Sequence, residues 1–113
     1  MSFRGGLSFG LVVSLLLAAA CSSSSSPTAA ECTVSASDYP RTCSVDADCL
    51  AIVEISGCGL CACETGAINV SAQSAYQSKY DGAKQYAASG CFCPCEAAPK
   101  CCGGTCTVSC GGC

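Results

Sequence analysis

Fifteen of the 113 residues are cysteine, so thiol chemistry is the first chemistry to consider for this chain. Cys58 and Cys61 form a C-x-x-C pair shortly before a long cysteine-free stretch with a helical pattern. The N-terminus of a helix lowers the pKa of a nearby thiol and makes it reactive, as a dithiol redox site requires. No βαβ pattern surrounds this pair. A C-x-x-C redox protein is therefore an alternative, and a structural role for these cysteines is the main interpretation.

The C-x-C spacings offer a second chemistry, which is thiolate coordination of a soft metal ion. Cys61-x-Cys63 and Cys91-x-Cys93-x-Cys95 resemble the C-x-C pairs of metallothioneins, which bind soft metals such as zinc or Cu(I) without histidine. The chain has no histidine, which excludes His-ligated metal sites and both Ser-His-Asp and Cys-His catalysis. An extracytoplasmic thiolate metal-binding protein is thus one alternative. Our main prediction is no bound metal, no cofactor and no enzymatic activity.

Two cysteine-containing segments resemble the whey-acidic-protein four-disulfide core. One runs from Cys43 to Cys49 with Asp46 in the C-x2-D-x2-C pattern, and the other, residues 100–110, begins Lys-Cys-Cys. In that family the two pieces nearly abut, whereas here the helical stretch separates them. The resemblance implies a small protease inhibitor as a further alternative. Asp46 and Asp48 do not have the spacing of an EF-hand calcium loop, and we predict a solvated turn there.

The N-terminal segment has the pattern of an export signal. Arg4 is its only charged residue, and residues 7–20 then form an uncharged run that is shorter than the roughly 20 residues of a spanning helix. The run closes on Ala18-Ala19-Ala20 followed by Cys21, which resembles the lipobox of bacterial lipoproteins, although that family most often has Leu where Ala18 stands. The resemblance implies cleavage between Ala20 and Cys21 and acylation of Cys21. The alternative is an ordinary secretory signal that is cut elsewhere.

A serine-rich tether follows the lipobox. Ser22–Ser26 is a run of five serines, which buries nothing and behaves as a flexible linker. We therefore divide the chain into a signal peptide (1–20), a lipidated cysteine with its tether (21–30) and a cysteine-rich domain (31–113). The implied partner is a membrane, reached through the acyl anchor, and the implied location is the extracytoplasmic cell envelope. In a Gram-negative host Ser22 resembles the residue that accompanies sorting to the outer membrane.

Setting Cys21 aside leaves an even number of cysteines, which can all pair. A domain of this size has little core to offset the cost of ordering its backbone, and disulfides persist in exported proteins. Pairing is not deducible from the sequence, although adjacent Cys101 and Cys102 are expected to bond to distant partners because small rings are strained. The cysteines predicted to form disulfides are Cys32, Cys43, Cys49, Cys58, Cys61, Cys63, Cys91, Cys93, Cys95, Cys101, Cys102, Cys106, Cys110 and Cys113.

The elements that must position these cysteines form a small disulfide-rich α+β domain. Residues 50–55 are rich in β-branched side chains and predict a strand, and residues 105–109 predict a second strand after the tight turn at Gly103-Gly104. Residues 67–88 carry apolar side chains at steps of three and four, which predicts one amphipathic helix packed on these strands. Thr65 is its expected N-cap.

Residues 42–110 resemble a group of uncharacterised bacterial cysteine-rich lipoproteins. The shared features are C-x2-D-x-D-C, the Ala-Ile-Asn at residues 67–69 and the closing Gly-Gly-Thr-Cys-Thr-Val. The predicted function is a lipid-anchored, exported envelope protein with a binding or structural role toward an unidentified protein or envelope ligand. Five basic against eight acidic residues argue against nucleic acid as a partner.

Overall fold

The computed structural model describes residues 25–93, 95 and 98–113. The predicted signal peptide, the cleavage site at Ala20 and Cys21 and the first part of the tether lie outside the described residues. The small disulfide-rich α+β class is confirmed. The elements in chain order are α1 (Ala29–Cys32), β1 (Thr33–Val34), β2 (Cys49–Ser56), β3 (Ala62–Asn69), α2 (Gln73–Ala83), β4 (Ala98–Cys102) and β5 (Thr105–Ser109).

The larger sheet is antiparallel, with strand order β1-β2-β3. β2 confirms the strand predicted at 50–55 and extends it by one residue at each end. The register of β2 against β3 shifts between Ile52, which pairs with Gly66, and Val53, which pairs with Glu64. Thr65 is therefore the extra residue of a β-bulge, which bends the strand and increases its twist.

The smaller sheet is the hairpin β4-β5. β5 has the bounds that the sequence predicted, whereas β4 was not expected from its sequence. Gly103 and Gly104 connect the two strands with φ angles of 58° and 78°, the left-handed region that a two-residue hairpin turn requires and that glycine adopts without steric cost. Thr42 forms a bridge with Thr105, which attaches this hairpin to the segment preceding β2.

The helix is present but shorter than predicted. One 3-10 turn (Val70–Ala72), α2 and a second 3-10 turn (Lys84–Tyr86) make a continuous helical segment in place of the predicted 67–88. Residues 67–69 instead complete β3, because Ile68 pairs with Leu50 across the sheet. The prediction of Thr65 as N-cap was therefore wrong, and Asn69 caps the segment by accepting a hydrogen bond from the Ser71 amide at 2.9 Å.

The core lies between α2 and one face of the larger sheet. Tyr76 is its central side chain, because its hydroxyl accepts a hydrogen bond from the Val53 amide at 3.0 Å and its ring contacts those of Tyr39 and Tyr80. The hydroxyl thus supplies a polar partner for the backbone beside the bulge. The other buried side chains of this core are Val34, Ala36, Ile52, Ile55, Ile68, Ala72 and Ala83.

A second buried cluster joins the two sheets. It contains Ala67 of β3 together with Cys43, Cys49 and Cys106. Ala67 and Cys106 are fully buried, and Arg41 spans the same junction by donating hydrogen bonds from its guanidinium to the Cys106 carbonyl, the shorter at 2.8 Å. The hairpin is therefore held to the larger sheet by disulfides and buried sulfur atoms, together with hydrogen bonds from the segment before β2.

Candidate functional site

The cysteines from residue 32 to residue 113 are all paired. This confirms that the fourteen act as cross-links, and adjacent Cys101 and Cys102 have different partners as expected. None of the pairs joins cysteines that are neighbours in a C-x-C or C-x-x-C run. The pairs are Cys32–Cys58, Cys43–Cys101, Cys49–Cys106, Cys61–Cys91, Cys63–Cys93, Cys95–Cys110 and Cys102–Cys113.

The C-x-x-C pair does not have the geometry of a dithiol redox site. Cys58 bonds to Cys32, whereas Cys61 bonds to Cys91. The element that follows the pair is strand β3, not the helix that the redox hypothesis required, and both sulfurs are already bonded to other cysteines. Within the described residues, the pair therefore links two separate segments of the chain.

Three sulfurs come together in the buried cluster between the sheets. The Sγ atoms of Cys43, Cys49 and Cys106 lie within 4.8 Å of one another, and all three residues are buried. Sequence reasoning placed a possible thiolate cluster instead on the C-x-C runs at 61–63 and 91–95. In the described state these three sulfurs belong to two disulfides, with Cys101 as the fourth member, and metal coordination requires thiolates.

Two parallel cross-links tie the segment 91–93 to the beginning of β3. Cys61–Cys91 and Cys63–Cys93 each join residues 30 positions apart, so a C-x-C run on one segment lies against a C-x-C run on the other. We refer to this pair of bonds as the disulfide ladder. Backbone contacts continue it toward the helix, since the Ala88 amide donates to the Leu60 carbonyl at 2.9 Å.

The ladder presents Phe92 to solvent. This residue lies between the two cross-linked cysteines, and 94% of its surface is exposed. Leu60, which directly precedes Cys61, is 50% exposed. The cross-links on both sides restrain the backbone that carries this side chain, so less backbone entropy is lost when the side chain is covered by a partner surface. Neither residue was predicted from the sequence, although a phenylalanine between two cysteines of a C-x-C run is a signal that could have identified Phe92.

The tether enters the domain at the same end of the molecule. Cys32–Cys58 fastens α1 to the turn 57–60, and Cys58 Sγ lies 3.6 Å from the Thr28 carbonyl oxygen. The Glu31 carboxylate accepts hydrogen bonds from the Thr28 amide and hydroxyl, and the amide contact in particular lowers the pKa of Glu31. We call this region the tether end; it consists of Pro27 and Thr28, the turn 57–60 and the segment 91–93.

An open groove of about 440 Å³ lies beside the ladder, between β1 and the beginning of β3. Glu54 is its acidic side chain, but both carboxylate oxygens already have partners. Oε1 accepts from the Ala36 amide at 2.7 Å, and Oε2 accepts from the Thr65 hydroxyl at 2.8 Å. Glu54 therefore holds the bulged strand to the segment after β1, and the groove offers no uncommitted charged group from this residue.

The two aspartates of the C-x2-D-x-D-C motif lie in an exposed 3-10 turn, as predicted. Asp48 accepts hydrogen bonds from the Ser44 and Val45 amides, which close the turn. Asp46 instead reaches across to β4, where it accepts from the Cys101 amide at 2.8 Å and from Lys100 Nζ at 3.2 Å. The two aspartates thus close this turn and hold it to β4, beside the Cys43–Cys101 bond.

Comparisons with known proteins find no matching family model, no matching curated protein and no matching solved structure. Among the described residues, no helix is long and apolar enough to cross a membrane.

Proposed function

We propose that this protein is a lipid-anchored, exported component of the cell envelope whose disulfide-rich domain has a binding or structural role. The observation that carries the proposal is the complete pairing of the fourteen cysteines between Cys32 and Cys113. The sequence contains fifteen cysteines, so the one that this network does not use is Cys21, the residue at the lipobox. Fourteen disulfide-bonded cysteines and one acylated cysteine together account for all fifteen cysteines of the sequence.

The proposed location rests on redox chemistry and on the leader. Disulfides persist in secreted, periplasmic and cell-surface proteins and are rare in the cytosol. Seven of them in a chain of this size support an extracytoplasmic environment. Two or more acyl chains on Cys21 would give stable anchoring, because a single chain binds a membrane only marginally. In a Gram-negative host, the proposal extends to the outer membrane.

Substitution of the acylated residue tests the anchor. We expect the wild-type protein to be labelled by a fatty-acid probe and to float with membranes. Cys21→Ser should lose the label; it should also lose flotation if its leader is cut elsewhere, and otherwise keep the uncleaved leader. Ser24→Ala is the matched control, because it changes the tether without touching the lipobox. Labelling and flotation of Cys21→Ser at wild-type levels would contradict the proposal.

Thiol titration tests the domain. The native protein, denatured without reductant, should show no free thiols among the fourteen cysteines. Its intact mass should be lower than that of the reduced form by the fourteen hydrogens of seven disulfides. Several titratable thiols together with a stoichiometric metal ion would contradict a disulfide scaffold.

The buried sulfur cluster supports a second candidate, extracytoplasmic metal binding by thiolates. Reduction of Cys43–Cys101 and Cys49–Cys106 would leave four thiols between the sheets, and four thiolates are a common tetrahedral ligand set for zinc. This function requires the protein to be reduced where it acts. Zinc titration of protein purified without oxidation, with Cys49→Ser as the comparison, distinguishes it from the first proposal: one tightly bound ion lost in the variant would favour metal binding.

A further inference from the structure

We propose that Leu60 and Phe92 at the tether end form a membrane-contacting surface that inserts into the headgroup region of the bilayer. The proposal rests on the proposed function, because it requires the acyl anchor at Cys21. It adds an orientation: the domain would lie with its tether end on the lipid surface rather than be displayed away from it.

The length of the tether limits how far this end can move from the membrane. Cys21 and Thr28 are seven positions apart, and this length of chain spans at most about 25 Å when fully extended. Thr28 is itself held against Cys58, whose disulfide to Cys32 fixes the turn 57–60 beside it. An acylated Cys21 would therefore keep this turn within reach of the headgroups.

Two exposed large apolar side chains, Leu60 and Phe92, are at this end. Leu60 belongs to the turn 57–60, and Phe92 is linked to it through the Cys61–Cys91 bond, whose Cα atoms are 5.8 Å apart. The Cα atoms of Leu60 and Phe92 are therefore at most about 13 Å apart, since consecutive Cα atoms are separated by 3.8 Å. A phenylalanine that is 94% exposed is the largest apolar surface that a single side chain offers in the described structure.

Charge favours an apolar contact over an electrostatic one. Of the five basic residues, Arg4 belongs to the leader, so the remainder of the chain carries four basic against eight acidic residues. A domain with net negative charge is not attracted as a whole to anionic lipids, so we expect its affinity for the bilayer to come from buried apolar area. The disulfide ladder favours such a contact, because the backbone on both sides of Phe92 is already cross-linked before the side chain is covered.

The absence of tryptophan from the sequence makes a direct test possible. The full-length acylated protein carrying Phe92→Trp would be reconstituted into phosphatidylcholine vesicles, with brominated acyl chains as the quencher. We expect a blue-shifted emission and strong quenching. Val45→Trp is the matched control, because Val45 is also exposed, at 57%, but adjoins Asp46 and the β4-β5 sheet rather than the tether end. Its emission should remain that of a solvent-exposed indole.

Flotation of the same samples separates the two proposals. If the Phe92→Trp protein neither carries acyl chains nor floats with vesicles, the proposed anchor has failed. If it floats but its emission and quenching equal those of Val45→Trp, the membrane-contacting surface is wrong and the anchor stands. An emission that is solvent-like on vesicles and shifts only on intact cell envelopes would overturn the proposal in favour of a protein partner.

Discussion

At the scale of single residues, Asp46 and Asp48 show how carboxylate hydrogen bonds fasten parts of a domain that has a small apolar core. Asp46 connects the turn before β2 to β4 through the Cys101 amide and Lys100, and Asp48 closes its own turn. The Cys101 amide and then Lys100 lower the pKa of Asp46, and the Ser44 and Val45 amides lower that of Asp48. Both carboxylates are therefore more acidic in the folded protein than in the unfolded chain.

This arrangement predicts a loss of stability in acid. A carboxyl group whose pKa is lowered on folding stabilises the protein above its unfolded pKa, near 3.8 for aspartate, and that contribution is lost as the pH falls through the folded pKa. The urea midpoint, measured without reductant, should fall as the pH is lowered below about 4. Asp46→Asn should have a lower midpoint at pH 7 and a shallower pH dependence.

Asp38→Asn is the control for this measurement, because the Asp38 carboxylate forms no hydrogen bond within the part of the chain that the structure describes. It should retain the wild-type urea midpoint at pH 7. A pH profile of Asp46→Asn that is parallel to the wild type would show that the contact with β4 contributes nothing to stability.

At the scale of elements, the bulge in β3 determines how the larger sheet fits the segment after β1. Glu54 binds both the Ala36 amide and the Thr65 hydroxyl, which brings these groups close to the backbone of Gly66. A Cβ atom on Gly66 would lie 2.8 Å from Ala36 Cβ and 2.7 Å from Glu54 Cδ. Both distances are shorter than real contacts, so the glycine is required by close approach.

We therefore predict opposite effects of two alanine substitutions. Gly66→Ala should lower the free energy of unfolding by about 1 to 3 kcal/mol, because overpacking displaces Ala36 or breaks the Glu54 contacts. Gly82→Ala, in the last turn of α2 with nothing within 4 Å of the added Cβ, should raise it by up to about 1 kcal/mol through helix propensity. Urea unfolding followed by circular dichroism measures both. Equal effects of the two substitutions would refute the packing argument.

At the scale of the whole molecule, cross-links organise a domain whose apolar core is small. The two bonds of the disulfide ladder close nearly the same loop, since each joins residues 30 positions apart. When one bond is present, the other closes only a few additional residues. In the loop-entropy description of disulfides, the two bonds are then partly redundant.

The redundancy predicts non-additive stability. Replacing either Cys61 and Cys91 or Cys63 and Cys93 by alanine should cost less than the free energy expected for an isolated 30-residue loop. Replacing all four should cost more than the sum of the two, by roughly 1 to 2 kcal/mol. Urea unfolding of the three variants without reductant provides the comparison, and strict additivity would show that the bonds act independently.

Some elements were predictable because their own residues favour one conformation. β2 is rich in β-branched side chains, β5 follows the Gly103-Gly104 turn, and the cysteine-free stretch forms the helix. β3 was not predicted, because its alternation is interrupted by the bulge, and its last residues, 67–69, were assigned to the helix. The apolar side chains of Ala67 and Ile68 fit the spacing of an amphipathic helix, and they fit equally well a strand that buries one side chain in each of the two cores. Only the pairing of these residues with β2 distinguishes the strand from the helix.

The sequence by itself determined the α+β class and the use of fourteen cysteines as cross-links, because composition, parity and a small core leave few ways to stabilise this chain. The tertiary structure alone decided which cysteines bond, because a disulfide needs Cα atoms within about 7 Å and segments distant in sequence meet only in the fold. It also decided that Phe92 is held exposed beside the tether, since that placement depends on the pairing of Cys61 and Cys63 with Cys91 and Cys93.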